Sequence, residues 1–203
     1  IIDSAHPFAA HLHSTVAKVA ESLNIPAIRY ERIFPKRDND IVWCDTYDEA
    51  IELVNNGSTV LATTGVQSIS KMKRLEEKGC KVFYHILDRP SSLAQAHAEG
   101  IPDNRLILSA TQSFSPTMGD KGTFILKESG ISGGFIEKVE KARKQGMRII
   151  AIRRPATPDY FKTVNGEHGL RRMVEQLLPD FYPLHSGLTT GTYATAAAIA
   201  AYR

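Results

Sequence analysis

The chain has 203 residues, enough for one large domain or two small ones with a real core. Its 25 Lys and Arg residues against 22 Asp and Glu leave a net charge of +3, and no run concentrates the basic residues, which excludes a nucleic-acid footprint. No apolar run approaches a membrane span, no signal peptide is visible, and two distant cysteines, Cys44 and Cys80, exclude a disulfide scaffold or a zinc motif and point to a reducing, cytoplasmic setting.

Ile1–Ile2 before Asp3 predicts the tail of a buried strand, so the chain is expected to begin inside a domain. Pro7 suits the first turn of a helix reaching about Leu23, with Val16, Val19, Ala20 and Leu23 as its apolar face. Ala27 to Tyr30 and the phrase DIVWCDT are predicted strands. Asp45 or Thr46 caps a helix from Tyr47 to Val54, and NNG stops it. TVLATTG is a compact strand ending in glycine, followed by a helix from about Ser68 to Lys78. CKVFYHIL is a strand, and Ser91 or Ser92 caps a short helix that stops at Gly100. NRLILSA and GTFILK are strands, a helix runs to about Gln145, MRIIAI is the last clear strand, and GLRRMVEQLLPDF is a closing helix. Strand and helix alternate, and most strands are continuous apolar runs, which predicts an α/β fold with parallel sheets covered on both faces.

In such a fold ligands bind where strands give way to helices. Lys127 to Phe135, KESGISGGF, is one such junction. Gly133 and Gly134 at the helix start allow close backbone approach, Ser129 and Ser132 add donors, and Lys127 adds charge. The phrase lacks the GK[ST] of a Walker loop and the GxGxxG of a dinucleotide fingerprint. An anion seat and an ordinary tight turn both fit it. Thr63, Thr64 and Gly65 form a second junction, and strand–TG–helix turns without a ligand are common. His6, held out of the helix by Pro7, sits at a lip where an imidazole suits proton donation or carboxylate binding, or a plain loop hydrogen bond. Asp3 is placed to accept loop N–H groups. Arg29, Arg89, Arg153 and Arg154 end strands and could clamp carboxylates or phosphate, or simply be solvated. His11 and His13 are two residues apart and share no helix face, so no metal site is expected.

DSAHPFA, VLATTG, GIPDNRLIL and KESGISGGFIEKVEKARKQGMRIIAIRRP closely resemble the precorrin-6A reductase family, including its cobalt-precorrin form, over about residues 1–155 and more weakly to Phe181. The resemblance implies two Rossmann-like subdomains with parallel sheets, here 1–38, with the first incomplete, and 39–181 on the nucleotide side. It implies NADPH-dependent reduction of one double bond of a tetrapyrrole in cobalamin biosynthesis. It places Thr64, Gly65, Ser129, Gly130, Gly133 and Gly134 beside the cofactor, His6 and Lys127 as catalytic candidates, and Asp3, Arg29 and Arg89 on the substrate side. His6 matches the histidine of a family phrase DATHPFA, which reads DSAHPFA here.

Family members begin with a further strand and glycine-rich turn, so an open sheet edge is expected beside Ile1–Asp3. They also carry a helix where residues 113–122 form only a short connection, which points to missing residues there. Leu184 to Arg203 resembles the opening of cobalt-precorrin-5B C1-methyltransferase, with Tyr193 where that family commonly has cysteine. Residues 182–203 are therefore expected to be a linker and the start of a fused methyltransferase. The rival expectations are a non-catalytic tetrapyrrole-binding fragment and S-adenosylmethionine-dependent methyl transfer by the fused partner. The sequence leaves the oligomeric state open.

Overall fold

The structure, a computed structural model, describes residues 1–108 and 122–182. The described chain divides into two compact units: 1–5, 9–31 and 157–182 form one, and 6–8 with 32–156 form the other. Both are α/β with parallel sheets. The expectations for residues 113–121 and for 183–203, including the methyltransferase-like segment, lie outside the described residues.

The smaller unit has a parallel sheet of β1 (Ile2–Asp3), β2 (Ile28–Tyr30) and β9 (Lys162–Val164), in the order β1-β2-β9, with α1 (Ala10–Ser22) and α7 (Gly166–Leu177). Here the chain departs from the division at residue 39 read from the sequence, because β9 returns to pair with β2 and carries residues 157–182 back to the first unit. MRIIAI is therefore not the last strand. β9 has no continuous apolar run to announce it, since Lys162 and Thr163 are exposed.

α1 starts at Ala10, three residues after Pro7, and buries His13, Ala17 and Ala20. Val19 and Leu23, expected inward, are 47% and 63% exposed. The physical reason is polar: His13 Nδ1 lies 2.6 Å from the buried Asp3 carboxylate, which sets the rotation of the helix. Asp3 in turn joins a buried network. Arg29 Nη1 reaches Asp3 Oδ1 at 3.0 Å, and Nη2 donates to Ala5 O at 2.9 Å and lies 3.3 Å from Glu31 Oε1. The Ala5 amide donates to Asp3 Oδ1 at 2.9 Å. Burial works to raise the Asp3 carboxyl, but the Ala5 amide, His13 and Arg29 together hold it below its ordinary value.

The larger unit holds β3 (Val42–Cys44), β4 (Thr59–Ala62), β5 (Lys81–Ile86), β6 (Leu106–Leu108), β7 (Thr123–Lys127) and β8 (Arg148–Ile152), all parallel, in the order β3-β8-β7-β4-β5-β6. One face buries Ile125, Val60, Val82 and Ile150 beneath α2 (Tyr47–Glu52), α3 (Ile69–Met72) and α5 (Pro90–Ala98). The other packs Phe124, Leu126 and Ile149 against Phe135 and Val139 of α6 (Phe135–Lys144). Thr46 caps α2 by accepting the Glu49 amide at 3.1 Å. The helix expected over Ser68 to Lys78 is divided: a 3-10 turn at Val66–Ser68, then α3, then α4 (Arg74–Glu77). At α5 the cap is Arg89, with Pro90 in the first turn, so Ser91 and Ser92 lie inside the helix.

Candidate active-site cleft

Strand order decides where a ligand can sit. From β4 the chain winds outward through β5 to β6, then β7 returns to the other side of β4 and the winding reverses through β8. The carboxyl ends of β4 and β7 therefore flank a topological switch point, the place where open parallel sheets leave a crevice. A cleft of about 470 Å³ opens there. That lies within the size range of small-molecule sites.

Thr64 and Gly65 leave β4 into this cleft; Lys127 and Ser129 leave β7 into it. Gly133 and His6 also line it. With Thr63, which also lines it, seven of the residues singled out in the sequence thus come together. Gly65 begins the 3-10 turn with φ 88 and ψ 160, an extended left-handed conformation open essentially only to glycine. The amides of Gly65, Val66 and Gln67 have no acceptor among the described residues. Ser68 Oγ lies 2.7 Å from both Thr64 Oγ1 and Gly65 O, which holds the turn closed.

The remaining expectations fall elsewhere. Gly130 lies behind the cleft, where the loop meets residues 32–34. Gly134 is the left-handed cap residue of α6. Arg89 is exposed and is not among the lining residues. Asp3 and Arg29 are 6% and 1% exposed and are committed to their own network, so their donors and acceptors fix residues 3–5 rather than face a ligand.

Three lining residues escape sequence reasoning: His85, Gln67 and Lys138. His85 ends a strand whose apolar run hides it, and Lys138 reads as one more charge on an amphipathic helix. Gln67 reads only as a helix start; its side-chain amide pairs with that of Gln95 on α5 at 3.0 and 3.3 Å.

Electrostatically the cleft is one-sided. Lys127, Lys138, His85 and His6 line it, and no described lining residue is acidic. Lys127 is half-buried, with Nζ 5.2 Å from the Phe8 ring centroid and 5.8 Å from that of Tyr47. Burial, with Lys71 and Lys138 nearby, brings its ammonium down to about 8. Burial likewise lowers Lys138, and burial with Lys138 and Lys141 lowers His85. Lysines in a partly desolvated cleft with no described acidic lining residue favour an anionic ligand, whose binding restores the charged forms. His6 Nδ1 lies 3.2 Å from the Phe8 amide and accepts it, which leaves the proton of the neutral ring on Nε2.

The loop between β7 and α6 is held by close packing. Gly130 has φ 77 and ψ 173, and a Cβ there would lie 3.0 Å from Arg32 Cβ and 3.1 Å from Ile33 O. Gly130→Ala is expected to lower the unfolding free energy by about 2–3 kcal/mol, because glycine-only backbone and a backbone oxygen oppose the methyl together. Urea unfolding checks it, with Gly65→Ala as comparison: that residue shares the backbone conformation but has open space around it. Equal losses in the two variants would show that the packing against Ile33 contributes nothing.

Comparison with known proteins identifies the family. The chain matches the profile described as Precorrin-6x reductase CbiJ/CobK over residues 1–173. The chain belongs to the precorrin-6x reductase family. It is 30% identical over 169 residues to the cobalt-precorrin-6A reductase of Synechocystis sp., covering 77% of this chain and 64% of that protein. It is 32% identical over 163 residues to that of Methanococcus maripaludis, covering 76% and 63%. This member of the family thus spans a little under two thirds of the length of these curated relatives. A solved structure of CobK precorrin-6A reductase shares the fold, with a TM-score of 0.62 and 18% identity over 86% of this chain and 72% of that one. No helix among the described residues is long and apolar enough to cross a membrane, and no group of three or more His, Cys, Asp or Glu among them is placed to hold a metal.

Proposed function

We propose that this chain supplies the nucleotide-binding and reducing cleft of an NADPH-dependent reductase that saturates one double bond of precorrin-6A or cobalt-precorrin-6A in cobalamin biosynthesis. One observation carries the proposal: the cleft at the β4–β7 switch point is lined by cations with no described acidic residue among them. Both ligands of such a reaction are polyanions. The names of the relatives support the substrate class.

The residues present fit a dinucleotide. Thr64, Gly65 and Ser129 would hold it, with Gly130, Gly133 and Gly134 shaping the loop beside it. When bound, a reduced nicotinamide supplies the hydride. Lys127 binds an anionic group of cofactor or substrate, and its partial burial makes that interaction stronger than it would be in water. His6 orients a ring carboxylate or presents the Nε2 proton to the reduced carbon framework. Arg89, exposed near the same strand end as His85, is kept as a peripheral substrate contact. Asp3 and Arg29 act indirectly, by fixing residues 3–5 ahead of His6. Fusion to a C1-methyltransferase, suggested by residues 184–203, and a cytoplasmic location complete the reading.

Thermal shift tests it cheaply. NADPH at about a hundred times its Kd is expected to raise the melting temperature by about 5–10 °C. Oxidation of NADPH must then follow on addition of the tetrapyrrole. A shift with tetrapyrrole but not with NADPH would favour a non-catalytic binding role, and a shift with S-adenosylmethionine alone would favour methyl transfer. Stabilisation by none of the three would sink the reading.

A further inference from the structure

Lys127 and Glu128 are neighbours at the end of β7, and strand alternation sends them to opposite faces. Lys127 shares its face with Ile125, and Glu128 shares the other with Phe124 and Leu126. Glu128 is 2% exposed, yet it is ionisable and lies away from the cleft lining.

Its carboxylate is fully occupied. Arg37 donates from Nε to Oε1 and from Nη2 to Oε2, both at 2.9 Å. The Arg154 amide donates to Oε2 at 3.0 Å, and Arg154 Nη1 lies 3.0 Å from Oε1. Burial works to raise this carboxyl, but Arg37 and Arg154 hold it below its ordinary value. The Glu128 amide donates to Ile152 O at 2.8 Å, which ties the same residue to β8.

The partners form a brace. Residues 32–37 run behind the loop: Arg32 Nη1 donates to Ser129 O at 2.9 Å, the Ile131 amide donates to Ile33 O at 2.9 Å, and Arg154 stacks on the Phe34 ring at 3.7 Å. Gly133 closes against it, since a Cβ there would lie 2.6 Å from Ser129 Cβ. The hydrogen bonds of this brace converge on residues 128–133, of which Ser129 and Gly133 line the cleft, and the Arg154–Phe34 stack ties the brace residues to each other.

We propose that Glu128 is a positioning residue: clamped between Arg37 and Arg154 on the far face, it holds Lys127 and Ser129 in place on the cleft side, so that anion affinity depends on its charge. The link to nucleotide rests on the proposed function; the link to Lys127 does not.

Glu128→Gln keeps the volume but removes the charge that two guanidinium groups share. The probes are NADPH affinity, by fluorescence titration, and the titration of the Lys127 ammonium, by NMR of lysine labelled at Cε and assigned with Lys127→Met. Loss of a nearby negative charge alone would move the Lys127 titration downward. Release of the loop into water moves it upward, toward the ordinary lysine value of 10.5 and away from about 8. The expected result is an upward move in a folded variant, with NADPH affinity reduced about tenfold. An unchanged or lowered Lys127 titration overturns the proposal. So does unchanged NADPH affinity where the wild-type chain binds NADPH. If the wild-type chain binds no NADPH, the functional reading fails and the Lys127 titration alone decides. If Glu128→Gln does not fold, Arg37→Lys and Arg154→Lys take its place: the side chains are partly exposed, and lysine keeps the positive charge but loses the forked hydrogen bonds, so charge loss does not itself move Lys127. An upward Lys127 titration in them supports the brace, and an unchanged or lowered one overturns it.

Discussion

Arg29→Met is expected to lower the unfolding free energy by about 3–5 kcal/mol, the loss typical of breaking one side of a buried ion pair. Arg29 is 1% exposed and serves Asp3, Glu31 and the Ala5 carbonyl at once. Methionine fills much of the volume but leaves the Asp3 carboxylate without its guanidinium and the Ala5 oxygen without its donor. Urea unfolding at neutral pH measures the loss. The double variant Asp3→Asn, Arg29→Met is expected to lose less than the sum of the two single variants, because no orphaned aspartate remains. A loss below about 1 kcal/mol in Arg29→Met would show that the network is incidental. The pH dependence has a definite sign. Asp3 titrates lower in the folded chain than its ordinary 3.8, so its contribution is complete above that value and disappears as pH falls through the lower folded value.

Lys127→Met is expected to weaken binding of an anionic ligand by about tenfold to a hundredfold, the range for a lost charge-assisted hydrogen bond. Its pH behaviour separates two effects. In the free chain Lys127 titrates near 8 instead of 10.5, so the unfolded chain binds more protons between those values. Stability of the ligand-free chain therefore rises with pH through that window. Affinity for an anion moves the other way, falling above about 8 as the ammonium is lost. NADPH titrations from about pH 7 to about pH 9.5, spanning that loss of charge, would show the fall in the wild-type chain and a flatter profile in Lys127→Met. Parallel profiles in the two proteins would remove Lys127 from the binding site.

The strands of the larger sheet are legible in the sequence because β4, β5, β7 and β8 are apolar runs buried within the sheet. β9 is not, since a three-residue strand with exposed Lys162 and Thr163 has no periodic signal. The α1 face escapes a reading by hydrophobicity, which favours Val19 and Leu23, because a buried polar pair, His13 with Asp3, fixes the helix instead. In the cleft, the glycine-bearing phrases TTG and KESGISGG stand out because their turns demand unusual backbone. Lys138 and His85 do not, because nothing local distinguishes a cation facing a cleft from one facing water. Glu128 is the clearest case: its partners Arg37 and Arg154 are 91 and 26 residues away, and only the folded sheet joins them.

The return of β9 to β2 has a consequence for the order of assembly. Once the chain up to residue 156 has left the ribosome, all six described strands of the larger sheet are present, but only two of the three described strands of the smaller one. The cleft at β4 and β7 can therefore form during synthesis, while the smaller sheet waits for a closure spanning the whole of the larger unit. Closing so long a loop slows folding far more than it weakens the product. Pulse-labelled hydrogen exchange during refolding should accordingly protect the amides of β4 and β7 before those of β2 and β9.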